Sequence, residues 1–194
     1  MNTARRAVLW FALALVAMPL VSLAQQPPPA EKKAASEEKV PADEAFKRGE
    51  MAYEAQNFAE AMRWYQVAAD QDNAPAQVRV GNLYTDGEGV SQDYAEALRW
   101  YRKAAEQEDY EAQNNIGFFY LSGWGVSQDY GQAMEWFRKA ADKGNEVAQR
   151  NVAMMYLQGL GVSTDKDEAI RWFKKAAAAG DEDAKDALQQ LGAE

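Results

Sequence analysis

Two Ser-x-x-Lys pairs are the first residues of this 194-residue chain whose spacing could do covalent chemistry. In Ser36…Lys39 and Ser163…Lys166 a lysine amine stands where it could deprotonate a serine hydroxyl. Neither pair has the companion motifs of a β-lactamase-type site, and the segments equivalent to the second carry Ser-Gln-Asp-Tyr instead. No serine nucleophile is assigned. Gly-Val-Ser-Gln-Asp at 89–93 and 125–129 fails as a nucleophile elbow, because its last residue should be Gly. Gly87-Glu88-Gly89 follows a helical stretch and lacks the third Gly of a dinucleotide fingerprint. Asp181-Glu182-Asp183 with Asp186, and Asp70 with Asp72, offer oxygen ligands of the kind Ca²⁺ takes, without the Gly and terminal Glu of a calcium loop. The expectation is no catalytic residue, no metal and no cofactor. A carboxylate pair for glycoside chemistry is the remaining enzymatic route, and the sequence singles out no such pair.

What is missing narrows the chemistry further. The chain has no Cys and no His. Thiol nucleophiles, disulfides, thiolate metal sites and His-based triads are therefore excluded. Lys plus Arg is 21 against 30 for Asp plus Glu, a net charge of −9. A chain this acidic neutralises phosphates poorly, so neither nucleic acid nor an anionic membrane surface is an expected partner.

The ends and the middle of the chain differ in kind. Arg5 and Arg6 precede an apolar run from Ala7 to Ala17, Pro19 breaks it, and Ser22-Leu23-Ala24 supplies small residues at a cleavage site. This is the pattern of a secretory signal peptide over 1–24, removed after Ala24 to leave a periplasmic or secreted protein. Residues 25–42 hold Pro, Ala, Glu and Lys with no aromatic residue and no apolar period, which reads as a disordered spacer.

The remainder, 43–194, repeats. Trp64, Trp100, Trp136 and Trp172 are 36 residues apart. The same step relates Tyr84, Tyr120 and Tyr156, the paired glycines 87/89, 123/125 and 159/161, and Asp93, Asp129 and Asp165. Such a period means units that bury each other's apolar faces. Each unit reads as two helices. In unit 3, Ala112, Ile116, Phe119 and Tyr120 share one helical face, and Gly123 ends that helix. Asp129 with Gln132 makes a capping box for a second helix, whose stripe Ala133, Trp136, Phe137, Ala140 and Ala141 faces the core. The units are 43–73, 74–109, 110–145 and 146–181, with a cap at 182–194. Unit 1 lacks the Gly-x-Gly loop and turns tightly at Gln56-Asn57.

The residues Ala112, Ile116, Gly117, Tyr120, Gly123, Gly125, Val126, Asp129, Ala133, Trp136, Lys139, Ala140 and Ala141 resemble the pattern of the Sel-one-like repeat, a relative of the tetratricopeptide repeat. The resemblance covers about residues 74–184, with unit 1 as a divergent start. It implies an all-α fold, a right-handed solenoid of αα-hairpins with about four repeats and a C-terminal capping helix. It also implies an adaptor or scaffold role, with the first helices lining a concave groove.

Positions that vary between units point to a partner surface. Asn82, Phe118 and Met154 are equivalent, as are Thr85, Leu121 and Leu157, and Glu88, Trp124 and Leu160. Each row is polar in unit 2 and apolar in units 3 and 4. Phe118, Leu121, Trp124, Met154, Leu157 and Leu160, beside Arg150, Gln113, Asn114 and Gln149, thus form an expected apolar strip for a protein or peptide partner. Inter-repeat packing and self-association are the competing uses of that strip.

Overall fold

The computed structural model describes residues 40–193. They form nine helices and no strand: α1 (Ala42–Glu54), α2 (Phe58–Ala69), α3 (Ala74–Asp86), α4 (Tyr94–Glu106), α5 (Tyr110–Ser122), α6 (Tyr130–Asp142), α7 (Glu146–Gln158), α8 (Lys166–Ala179) and α9 (Glu182–Leu191). Each helix packs chiefly on the one before and the one after it, which makes four αα-hairpins and a terminal helix. The expected signal peptide, 1–24, and residues 25–39 of the expected spacer lie outside the described residues. Residues 40–42, assigned above to the spacer, belong to the repeat domain: Val40 packs on the first core cluster, and its carbonyl accepts from Gln71 Nε2 at 3.0 Å.

Helix starts follow from local chemistry. Asn73, Asp109, Asn145 and Asp181 each accept the backbone N–H three residues on, at 2.7–2.9 Å, and so open the first helices. Asp93, Asp129 and Asp165 do the same for the second helices at 2.9–3.0 Å. Only half of the expected capping box forms. The N–H of each of these caps goes to the Tyr84, Tyr120 or Tyr156 carbonyl at 2.9–3.0 Å, which ties the second helix to the end of the first. Glu96 and Glu168, released from the box, pair with Arg99 and Arg171 one turn along.

The second glycine of each Gly-x-Gly loop explains why unit 1 lacks the loop. A Cβ on Gly89, Gly125 or Gly161 would sit 2.5–2.8 Å from the backbone of Phe58, Tyr94 or Tyr130. Those residues begin the second helix of the preceding unit, and the glycines also have φ of +65 to +72°. The loop of one unit therefore rests on the backbone of the unit before it, and only Gly fits. Unit 1 has no preceding unit, and its turn at Gln56 (φ +58°) needs no such contact.

The expected tryptophan core is corrected by the structure. Trp100 and Trp172 are buried, but Trp64 and Trp136 are only half-buried. The deepest aromatic is the next residue in each second helix: Tyr65, Tyr101, Phe137 and Phe173, at 0–2% exposure. The rings of Tyr65, Tyr101 and Phe137 pack against Gly49, Gly81 and Gly117 of the first helix, where a Cβ would come within 2.6 Å of them; Ala153 holds that position in unit 4. The tryptophans stand at the edge of that core under a cation, with Lys103, Lys139 and Lys175 at 3.8–4.0 Å from the rings of Trp100, Trp136 and Trp172.

Candidate partner-binding groove

One face of each first helix carries exposed and half-buried side chains. Successive first helices are bridged across that face by single polar pairs. Arg79 donates from Nε to Glu50 at 2.9 Å, Asn115 to Asn82 at 3.4 Å, and Asn151 to Asn114 at 3.0 Å. Arg150 then pairs with Asp183, and through Nε with Asp181 at 3.3 Å. Spacing alone could not show this row of bridges, because the partners sit on different helices about 29 to 37 residues apart.

Two cavities open along the face. One of about 190 Å³ is lined by Asn82, Thr85, Asp86, Asn115, Phe118 and Trp124, above Tyr101 and Phe119. The other, about 460 Å³, lies between α7 and α9 and includes Arg150, Met154, Phe173, Asp183, Asp186 and Gln190. The structure thus groups Phe118 with Trp124, and Arg150 with Met154. Asp86, Asn115 and Asn151 were not anticipated. Asp86 has Ser122 and Gln158 as its equivalents, a variation that could have drawn attention to it.

The apolar strip is less open than its sequence suggested. Phe118 and Met154 are exposed, at 40% and 37%. Leu121, Leu157 and Leu160 are half-buried and packed against the C-terminal core. Trp124 is no free loop residue either. Its ring stacks on Tyr94 at a centroid distance of 4.8 Å, and Phe118 stands nearly perpendicular to it at 5.1 Å. Gln113 and Gln149, expected beside the strip, are buried, and Gln149 Nε2 donates to the Ala141 carbonyl at 3.1 Å.

The polar-to-apolar change between units has an internal cause. Tyr101 OH donates to Asn82 Oδ1 at 2.8 Å and lies 3.0 Å from Thr85 Oγ1. Tyr65 OH likewise donates to Glu50, which occupies the Asn82 position of unit 1, at 2.5 Å. In units 3 and 4 the deep ring is Phe137 or Phe173, with no hydroxyl to satisfy, and the facing residue is Phe118 or Met154. Units 1 and 2 are polar here because a buried hydroxyl needs a partner.

Electrostatics is concentrated near Arg79. Burial pushes the Glu50 carboxyl up, but hydrogen bonds from Arg79 and Tyr65, with the guanidinium charge, outweigh it and hold the carboxyl below its ordinary value. Burial raises Glu111; Arg79 offsets part of that, and Asp109 and Glu50 add to it. Among the described residues no group of three or more acids is placed to hold a metal ion, and no helix is long and apolar enough to cross a membrane.

The Sel1 repeat pattern matches four segments, 44–73, 74–109, 111–145 and 147–181. The chain belongs to the Sel1 repeat family. A Sel1 repeat protein from Oxalobacter formigenes is 35% identical, with a TM-score of 0.73 over 77% of this chain and 62% of that one. The c5321 protein, a protective antigen of uropathogenic Escherichia coli strains with an SLR fold, is 32% identical, with a TM-score of 0.72 over 79% of this chain and 34% of that one. This chain therefore spans about a third of c5321 and less than two thirds of the Oxalobacter protein. Helicobacter pylori cysteine rich protein B, at 22% identity and a TM-score of 0.55, shares the fold. No curated protein matches the chain.

Sel1 repeats are helical scaffolds, typically for protein interaction. In this one, the residues of the shared pattern are those that hold the hairpins together. The groove residues Asp86, Asn115, Phe118, Asn151 and Met154 lie off that pattern, where repeats are free to differ.

Proposed function

We propose that this Sel1 repeat protein is exported and works as a non-catalytic adaptor, holding a protein or peptide segment along the face of its first helices. The observation that carries this reading is the exposure of Phe118 and Met154 beside polar side chains that bridge helix to helix. Exposed apolar side chains amid amides offer anchors and backbone hydrogen bonds to an extended chain. Trp124, in ring contact with Phe118, Arg150, which lines one cavity with Met154, and the half-buried Leu121, Leu157 and Leu160 complete the surface in this reading. A photocrosslinker at position 118 should form discrete protein adducts in cells, and one at Lys174 on the outer side should not. Equal adducts at both positions would remove the groove from the account.

A hydrolase acting on envelope material is the rival, favoured by the opposite shifts of Glu50 and Glu111 about Arg79. Glu50 is poorly suited to the work, because Oε1 serves Tyr65 and Arg79 Nε while Oε2 accepts from Arg79 at 3.4 Å. It behaves as a structural counter-ion. Hydrolysis of a peptidoglycan preparation that is lost in Glu111→Gln would establish the rival instead.

A further inference from the structure

Both guanidinium groups in the middle of the groove are already neutralised, Arg79 by Glu50 and Arg150 by Asp181 and Asp183. Asp86, Glu111 and Asp186 form no ion pair among the described residues. The face offered to a partner thus has surplus negative charge, on a chain whose net charge is already −9. An anion there meets uncompensated carboxylates, and a cation meets complementary potential.

The cavity between α3 and α5 gives that charge a shape. Its 190 Å³ is lined by Phe118 and Trp124 together with Asp86, Asn82 and Asn115. Asn115 gives an N–H to Asn82 Oδ1, which leaves its own carbonyl oxygen free to accept. Aromatic rings, a carboxylate and an amide oxygen around one small space are what a guanidinium or ammonium group requires: a π face, an opposite charge and acceptors. A sugar ring fits less well. One face of Trp124 is covered by Tyr94 at 4.8 Å, and Phe118 and Phe119 stand nearly perpendicular to it, so no broad platform is open.

We infer that this cavity takes an arginine or lysine side chain from a basic peptide segment of the partner. The inference rests on the groove reading above and specifies its ligand. The full chain is titrated with three labelled peptides: alternating Ala-Arg, alternating Ala-Glu, and neutral Ala-Leu-Ser. The basic peptide should bind, and binding should weaken as salt is raised. Asp86→Asn should weaken it about three- to tenfold, the range expected for losing one partly desolvated charge pair. Its circular dichroism and melting temperature should not change, because Asp86 is exposed. Asp167→Asn, an exposed carboxylate on α8, should leave binding unaltered.

Equal binding of the neutral peptide, or an Asp86→Asn variant that binds as the wild type does, overturns the cation assignment and leaves the groove reading standing. Binding of none of the three peptides overturns both. Three other occupants would displace the basic peptide from the cavity and overturn the inference. Saturable binding of glucose or N-acetylglucosamine lost in Asp86→Asn would assign it to a sugar. A dimer on a sizing column that dissociates in Asp86→Asn would assign it to a second copy. Tighter peptide binding after Lys32→Glu with Lys33→Glu would assign it to the chain's own leading segment.

Discussion

Phe137 and Trp136 are neighbours in sequence and unequal in the fold. Phe137 is fully buried on Gly117, and Trp136 is half-buried beneath Lys139. Phe137→Ala should cost about 3–5 kcal/mol and Trp136→Ala about half of that, read from denaturant midpoints. The reverse order would restore the tryptophan column to the centre of the core. A second test concerns the buried hydroxyls. Phe118→Asn and Phe137→Tyr rebuild in unit 3 the pair that Asn82 and Tyr101 make in unit 2. Each alone should destabilise, and the double variant should recover about 1 kcal/mol of coupling. Additive losses would show that the two positions vary independently. A third follows from Glu50. Its carboxyl lies below 4.5 in the fold, so its contribution is complete above that value and is lost as pH falls through the lowered one. Both partners are about a third exposed, and the pair contributes only about 0.5–1 kcal/mol. Arg79→Met should therefore lower stability at pH 7, and the difference from wild type should vanish at strongly acid pH. An offset independent of pH would assign the loss to packing.

At the scale of the element, the decisive contacts lie between a loop and the preceding unit's backbone. Gly125 has φ +65°, and a Cβ there would meet the Tyr94 carbonyl carbon and oxygen at 2.8 Å. Gly125→Ala adds left-handed strain to a clash with backbone that cannot rotate away, so about 2–4 kcal/mol should be lost. Gly144 has positive φ but nothing within 4 Å of its added Cβ. Gly144→Ala should cost only the strain, about 1 kcal/mol. Melting temperatures of the two variants separate conformational freedom from close approach, and equal losses would mean that the approach contributes nothing. The helix starts needed no such help from neighbours, because an Asp or Asn accepts from its own N3 amide wherever the chain can turn. That is why the starts of the second helices were legible in the sequence, while the failure of the other half of each box at Asp93, Asp129 and Asp165 was not: that half depends on where the preceding Tyr carbonyl lies.

Over the whole molecule, the first and last described helices depart from the interior repeats on their outward faces. The face that packs on the preceding unit carries Ala76, Val80 and Leu83 in unit 2, all buried. The equivalent residues of α1 are Glu44, Arg48 and Met51, where Glu44 and Arg48 form an exposed ion pair at 2.9 Å and Met51 is 70% exposed. In α9, exposed Gln189 stands at the position that Gly81, Gly117 and Ala153 hold in the repeats before it. Export belongs to this scale as well. The protein recovered from cells should begin at Gln25 by mass spectrometry, and recovery with Met1 intact would remove the signal-peptide assignment. The period, the two-helix unit, the caps and the family were legible in one sequence, because a repeat states its local rules several times and local rules need only near neighbours. Which apolar residues remain exposed was not legible. Leu121, Leu157 and Trp124 have the types and spacing of a binding strip, yet each is partly covered by residues of its own or adjoining units. Asp86, Asn115 and Phe118 come from two helices and form one cavity only when those helices are packed side by side. Sequence periodicity determines which face of a helix turns inward; only the packing of one unit on the next decides what is left on the outside, because that depends on the volumes of residues far away in the chain.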